Sequence, residues 1–149
     1  MGKLVEIRYI VIHHSATRDG ETMSWPAIRR FHTTPPPDGR GWADIGYHIG
    51  IEQIAQTWEV FIGRPWTVAG AHAPGRNSDS LGICLVGDFD QTAVPAQQWA
   101  AAVRLVRWLR GRFTVPVDRV VGHREVQKGR TCPGRYFDLA AFRDAVAKG

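Results

Sequence analysis

Four residues with metal-binding side chains lie in two distant parts of the chain. His13 and His14 follow an apolar run near its beginning, while His123 and Cys132 lie near its end. Imidazole nitrogen and thiolate sulfur are the ligands that Zn²⁺ prefers. Three protein ligands leave a fourth coordination position open, which distinguishes a catalytic zinc ion from a structural one. Because these candidates are far apart in sequence, only the whole fold can bring them together.

The neighbours of these residues indicate where each side chain is placed. Residues 9–12 are apolar and rich in β-branched side chains, which predicts a buried strand. Side chains alternate across a strand, so only one of His13 and His14 can readily reach a metal, and the pattern does not say which. His123 follows a predicted strand and a glycine, and Cys132 precedes a Pro-Gly turn. The alternative is that each is a structural residue, a hydrogen-bonded histidine or a buried thiol.

The elements that must position these residues alternate between strands and helices. A chain of 149 residues predicts one domain, residues 1–149. Ser24 is the predicted cap of a helix that has Ile28 and Phe31 on one face. Asp19-Gly20 ends the preceding strand, and the Pro-rich residues 35–39 end the helix. The alternation predicts an α/β domain with a central sheet and helices packed on it. Strands are predicted over 47–52, 57–62, 81–86 and 115–121, helices over 95–112 and 136–147, and a surface loop over 69–80.

Composition narrows the class of protein. The net charge is +5, from 19 basic and 14 acidic residues. A positive charge suits an anionic partner such as nucleic acid, a membrane surface or a wall polymer, and the alternative is that it serves solubility alone. The two cysteines form no disulfide framework, and Cys84 in mid-strand reads as a small hydrophobic residue. Nothing approaches the roughly 18 apolar residues of a membrane span. The charged first eight residues do not resemble a secretory signal, so we expect synthesis in the cytoplasm.

Four blocks of sequence carry a resemblance to a known family. In order and spacing they resemble the zinc-dependent N-acetylmuramoyl-L-alanine amidases, which include phage T7-type lysozymes, bacterial amidases and animal peptidoglycan recognition proteins. The resemblance covers about residues 8–142 and implies a mixed central sheet flanked by helices. The blocks are residues 10–17 (IVIHHSAT), 41–49 (GWADIGYHI), 77–89 (NSDSLGICLVGDF), and 122–125 (GHRE) followed by 131–134 (TCPG).

Carried over by position, the resemblance implies roles for individual residues. His13, rather than His14, becomes the first zinc ligand, with His123 and Cys132 as the second and third. Tyr47 falls where the family has a catalytic tyrosine. Arg130 occupies a catalytic position that is often lysine or threonine in the family. Arginine stays protonated, so it can donate to an oxyanion but cannot act as a base; Lys128, two residues earlier, is the alternative.

The resemblance also implies a substrate, bacterial peptidoglycan. We expect Trp42, Arg64 and Trp66 to contact its glycan strand or stem peptide. His72 is a candidate to donate the leaving-group proton, and the alternatives are a substrate contact or an exposed loop histidine. Asp44, Arg124 and Glu125 are expected to be structural. A monomer is expected, without nucleic acid as a partner and without stable membrane insertion.

The implied activity is hydrolysis of the amide bond between N-acetylmuramic acid and L-alanine. A phage or prophage endolysin, released to the wall during lysis, is the favoured biological role. A cytoplasmic wall-recycling amidase and a peptidoglycan-binding module without activity are the alternatives. A nucleic-acid-binding protein with a structural zinc is a rival of another class, for which Arg104, Arg107 and Arg110 on one predicted helix are the available evidence.

Overall fold

A computed structural model describes residues 1–17 and 24–148, so the expected break at Asp19-Gly20 lies outside the described residues. Within this part of the chain, five strands and four α-helices follow one another with a short 3-10 helix before the last strand. The strands are β1 (Tyr9–His14), β2 (Ile49–Ile54), β3 (Thr57–Ile62), β4 (Ser80–Leu85) and β5 (Val120–Gly122). The α-helices are α1 (Trp25–Thr33), α2 (Ala96–Phe113), α3 (His123–Val126) and α4 (Leu139–Ala147).

The five strands form one mixed sheet in the order β3-β2-β4-β1-β5. β3 pairs with β2 as an antiparallel hairpin, while β2, β4, β1 and β5 are parallel. The carboxyl ends of parallel strands meet at one edge of the sheet, which is where ligands bind in open α/β folds. His13 and His14 end β1 at this edge, and His123 directly follows β5. The predicted fold class, a mixed sheet with flanking helices, is confirmed.

The two faces of the sheet are covered by different helices. Ile10 and Ile12 of β1 belong to the large core, which also contains residues of α2 and α4. His13 points to the other face, because it pairs across the sheet with Cys84, which packs with Trp25 and Ile28 of α1. The metal-ligand candidate on β1 therefore faces α1, away from the large core.

Most of the predicted elements are present with small shifts. α1 begins after Ser24, whose hydroxyl accepts a hydrogen bond from the Ala27 amide at 3.4 Å, and α2 lies within one residue of its predicted bounds. Phe31 is not on the buried face of α1: it is 46% exposed, since the helix turns Trp25, Ile28 and His32 inward. No helix of the described residues is long and apolar enough to cross a membrane.

The region after α2 differs most from the sequence prediction. The strand expected over residues 115–121 is reduced to β5, because Pro116 has no amide proton and a 3-10 helix, Val117–Arg119, follows it. α4 begins only after Asp138, whose carboxylate accepts from the Ala141 amide at 2.9 Å, and not at Tyr136. The short helix α3 was not predicted, and it carries His123 as its first residue.

Candidate metal centre

The three predicted ligands meet at the carboxyl edge of the sheet. Ligand atoms of His13, His123 and Cys132 all lie within 4.8 Å of one another, and Cys132 Sγ is 3.6 Å from His13 Nδ1. Zinc bonds of about 2.3 Å to sulfur and about 2.05 Å to nitrogen, at the tetrahedral angle, place two such ligands roughly 3.6 Å apart. The donor set and this spacing fit a zinc ion.

Backbone contacts hold Cys132 against β1. The His14 amide donates to Cys132 Sγ at 3.4 Å, and the Arg124 amide donates to the Cys132 carbonyl at 2.7 Å. The Arg124 guanidinium donates to the carbonyl oxygens of Gly134 and Phe137, at 2.6 and 2.9 Å. Arg124 therefore ties the cysteine loop to α3, and its expected structural role is confirmed. Glu125 is structural as well, since it forms an ion pair with Arg143 at 2.7 Å.

His14 faces away from the centre, as the alternation of side chains in a strand requires. Its Nδ1 accepts a hydrogen bond from the Phe89 amide at 3.0 Å, and its ring lies near the Phe89 ring. This contact fixes the turn that follows β4. The neighbouring histidines of β1 thus have separate tasks, one at the centre and one in the loop beside it.

His72 lies directly behind His13 and is one of the residues that line the cavity over the ligands. Its Nδ1 is 2.8 Å from His13 Nε2, and its Nε2 is 3.2 Å from Ser80 Oγ. The residue is only 8% exposed. Both ring nitrogens have partners within the protein, which places His72 as a support for His13, and the expectation that it donates a proton to the leaving group or binds substrate stays a prediction. The loop over residues 69–80 is therefore partly buried, and its histidine supports a ligand.

Burial sets the protonation of the centre. It lowers the pKa of His13 and His72 well below the ordinary histidine value, and neighbouring imidazoles, including that of His123, add to the effect. It lowers the pKa of His123 as well. These rings are therefore neutral near pH 7, the form that ligates metals. Burial raises the pKa of the Cys132 thiol to about 12, so metal binding is coupled to loss of its proton.

An open cavity of about 490 Å³ lies over the three ligands, and Tyr47 forms part of its wall. The Tyr47 ring centroid is 5.1 Å from that of His13. Burial, followed by the nearby thiols of Cys84 and Cys132, raises the pKa of the phenol well above its ordinary value. Tyr47 is therefore a neutral hydrogen-bond donor beside the candidate metal centre.

Two arginines and a tryptophan line the outer part of the same cavity. Arg130 is among its lining residues, whereas Lys128 is not. Trp42 also lines the cavity, with the Arg40 guanidinium 5.9 Å from its ring centroid. Arg40 was missed in the sequence, although it directly precedes the Gly41-Trp42 pair.

Two predicted substrate contacts are wrong. Arg64 is 5% exposed and donates at 2.8 Å to the carbonyl oxygens of both Ile45 and Ala69, so it holds two loops together. Trp66 packs on Trp108 and Phe113 of α2, on the sheet face opposite His13.

Two further residues of the cavity were missed by the sequence analysis. His32 accepts the Gly46 amide at 3.0 Å through Nδ1, and nothing in its surroundings in the sequence marks it. Oε1 of Gln127 lies 2.5 Å from Nε2 of His123. Gln127 follows His123 by four residues, about one helical turn, so the two side chains are neighbours on one helix face. The sequence analysis missed this signal because it did not predict α3.

Two histidines and one cysteine beneath an open cavity, at the carboxyl edge of a mixed sheet, are the features of a mononuclear zinc hydrolase site. The chain belongs to the N-acetylmuramoyl-L-alanine amidase family, which it matches over residues 3–135.

Known relatives include proteins from animals, phages and bacteria. The chain is 36% identical to peptidoglycan-recognition protein LB of Drosophila melanogaster over 135 residues, which is 85% of this chain and 54% of that protein. It is 33% identical to the endolysin of Enterobacteria phage K11, covering 92% of this chain and 85% of the endolysin. The amidase LysC of Clostridium intestinale superimposes with a TM-score of 0.80 at 27% identity, covering 95% and 86% of the two chains. The chain thus spans about half of the insect protein but most of the endolysin.

Proposed function

We propose that the protein is a zinc-dependent amidase that cleaves peptidoglycan between N-acetylmuramic acid and the L-alanine of the stem peptide. The observation that carries this proposal is the convergence of His13, His123 and Cys132 under an open cavity in a chain of the amidase family. In this proposal those three side chains hold the zinc. When bound, the ion would lower the pKa of a water molecule and polarise the scissile carbonyl.

Tyr47 and Arg130 supply hydrogen-bond donors to the reacting carbonyl oxygen. Tyr47 keeps its proton near pH 7 because its pKa is raised, so its hydroxyl can donate to the negative charge that develops there. Arg130 is a permanent cation on the cavity wall and stabilises the same charge. Neither residue acts as a general base in this proposal.

Trp42 and Arg40 form the proposed substrate rim. The indole offers an apolar surface for a sugar or peptide, and the guanidinium beside it offers a positive charge. The stem peptide carries carboxylates, so a positively charged rim favours its docking. This pair replaces Arg64 and Trp66 as the candidate contacts, because it lines the cavity and they do not.

The proposed biological role is that of an endolysin that acts on the wall after release from the cytoplasm. The support is the 85% coverage of a phage endolysin by this chain. We propose that the protein acts as a monomer on peptidoglycan alone.

Digestion of purified peptidoglycan tests the activity directly. We expect new N-terminal L-alanine without new reducing sugar ends, and we expect this product to disappear with a zinc chelator and in His123→Ala. Release of reducing ends instead would identify a glycosidase and contradict the proposal. Zinc binding and wall binding without any cleavage would identify a recognition module, and salt-sensitive binding to DNA without wall binding would favour the nucleic-acid reading.

A further inference from the structure

The two histidines of the metal centre have neutral hydrogen-bond partners on their outer nitrogens. His13 Nε2 is 2.8 Å from His72 Nδ1, and His123 Nε2 is 2.5 Å from Gln127 Oε1. In a neutral imidazole one nitrogen carries the proton and the other has the lone pair. The partner of the outer nitrogen therefore decides which nitrogen is available to a metal.

At His13, the proton positions follow from a chain of hydrogen bonds that starts at Arg76. The Ser80 hydroxyl lies 2.6 Å from the Arg76 carbonyl and must donate its only proton there. Ser80 Oγ can then only accept from His72 Nε2, which leaves a lone pair on His72 Nδ1. His13 must donate to that lone pair from Nε2. Its own lone pair is left on Nδ1, the atom that lies 3.6 Å from Cys132 Sγ.

The His72 ring is held firmly in this chain. A Cβ atom on Gly70 would lie 2.4 Å from His72 Cδ2, and one on Gly82 would lie 2.7 Å from His72 Cγ. The two glycines therefore leave just the space that the ring fills. Asn77 Oδ1 accepts the backbone amides of His72 and Ala73, at 2.8 and 2.9 Å, and fixes the loop beside it.

At His123, the partner is a side-chain amide from the end of α3. The Gln127 amide donates to the His123 carbonyl at 3.0 Å, which places its side chain one helical turn from the ring. The carboxamide oxygen has no proton, so His123 must donate to it from Nε2. The lone pair of His123 is thus also left on Nδ1.

We propose that Gln127 and the Ser80–His72 pair are positioning groups that hold both histidines with the proton on Nε2, so that both Nδ1 lone pairs would be available to a zinc ion. The inference rests on the proposed function for the identity of the metal. Neither partner is a carboxylate, so the ring orientation is set without adding negative charge to the centre.

The zinc affinity of the full chain tests the role of Gln127. The dissociation constant is measured by chelator competition for the wild type, Gln127→Leu, Gln127→Glu and the matched control Gln91→Leu, an exposed glutamine outside the cavity over the metal ligands. Loss of an outer partner typically weakens metal binding by about 10–100-fold, which we expect for Gln127→Leu. Gln127→Glu retains an acceptor and should bind zinc at least as tightly as the wild type. Equal affinities of wild type and Gln127→Leu would overturn the proposal.

Ring ¹⁵N chemical shifts of the metal-free chain give an independent test. We expect His13, His72 and His123 to carry their protons on Nε2. Gln127→Leu should produce a mixture of the two tautomers at His123 alone, and Ser80→Ala should do so at His72 and His13. A proton on Nδ1 of His13 or His123 in the wild type would contradict the proposal. Failure of the wild type to bind zinc would instead overturn the proposed function, while the tautomers would still decide the positioning roles.

Discussion

The two faces of the central sheet bury different chemistry. On the α2 face, Ile10, Ile12 and Leu109 are completely enclosed by apolar side chains. On the α1 face, the enclosed residues include His13 and His72, whose ring nitrogens need partners inside the protein. Burial of apolar surface stabilises a fold, whereas burial of polar groups is costly unless they are hydrogen-bonded. The comparison indicates that the α2 face supplies most of the stability, and that the α1 face holds neutral imidazoles ready for a metal.

The largest effect is expected from removing a candidate metal ligand on the α1 face, which should change activity while leaving the α2 face intact. Cys132→Ser should lower amidase activity by about 10³-fold or more, because the Lewis-acid contribution of a metal is worth several kcal/mol. The midpoint of urea unfolding of the metal-free chain should change little, since the α2 face is intact. Product release and urea unfolding, measured on the same preparation, check this. A metal-free Cys132→Ser chain that is unfolded would show that the centre itself holds the fold together.

The opposite experiment truncates a buried side chain on the α2 face and leaves the candidate metal ligands unchanged. Leu109→Ala should lower the free energy of unfolding by about 2–5 kcal/mol, because Leu109 is fully buried and its truncation leaves a cavity. The zinc dissociation constant of the folded variant should equal that of the wild type. Denaturant unfolding and chelator competition measure the two quantities. Weaker zinc binding by the folded variant would show that the faces are coupled.

The buried imidazoles should make the stability of the metal-free chain sensitive to acid. Burial lowers the pKa of His32 to about 4, so the unfolded chain binds this proton first as the pH falls. The stability that neutral His32 contributes to the folded chain is present above the unfolded pKa of about 6.5 and is lost toward pH 4. The free energy of unfolding should therefore fall by about 2 kcal/mol between pH 7 and 5 on account of this residue. His32→Asn retains an acceptor for the Gly46 amide without titrating there. Its unfolding free energy should fall less steeply with acid than that of the wild type, and parallel pH profiles would contradict this assignment.

The sequence predicted α2 and the meeting of His13, His123 and Cys132 well, and it predicted the side chains behind these three residues poorly. Helical periodicity predicted α2, and the alternation of side chains in β1 predicted that one histidine alone would face the centre. The roles of Arg64, Trp66 and His72 were missed because each depends on partners that the fold brings from elsewhere. Arg64 holds backbone carbonyl oxygens of two loops, and Trp66 packs on α2. Residue type marks a side chain that can do chemistry, while tertiary packing decides whether it reaches the substrate.

The smallest expected effect concerns the rim of the metal cavity. Arg130→Ala should lower kcat/KM by about tenfold. This is less than the 10²–10³-fold typical of a preorganised buried donor, because the Arg130 side chain is exposed and its charge is screened by solvent. Lys128→Ala is the matched control, an exposed cation of the same loop that does not line the cavity, and it should retain full activity.

Arg130→Lys distinguishes charge from hydrogen-bond geometry at this position. A lysine that restores wild-type activity would show that positive charge suffices. A lysine no better than alanine would show that the planar guanidinium is needed. Kinetics on a soluble muropeptide at two salt concentrations measure all three variants, because screening should reduce an effect of charge. A larger loss in Lys128→Ala than in Arg130→Ala would contradict the assignment, and would indicate that the loop brings the lysine to the α1 face when substrate binds.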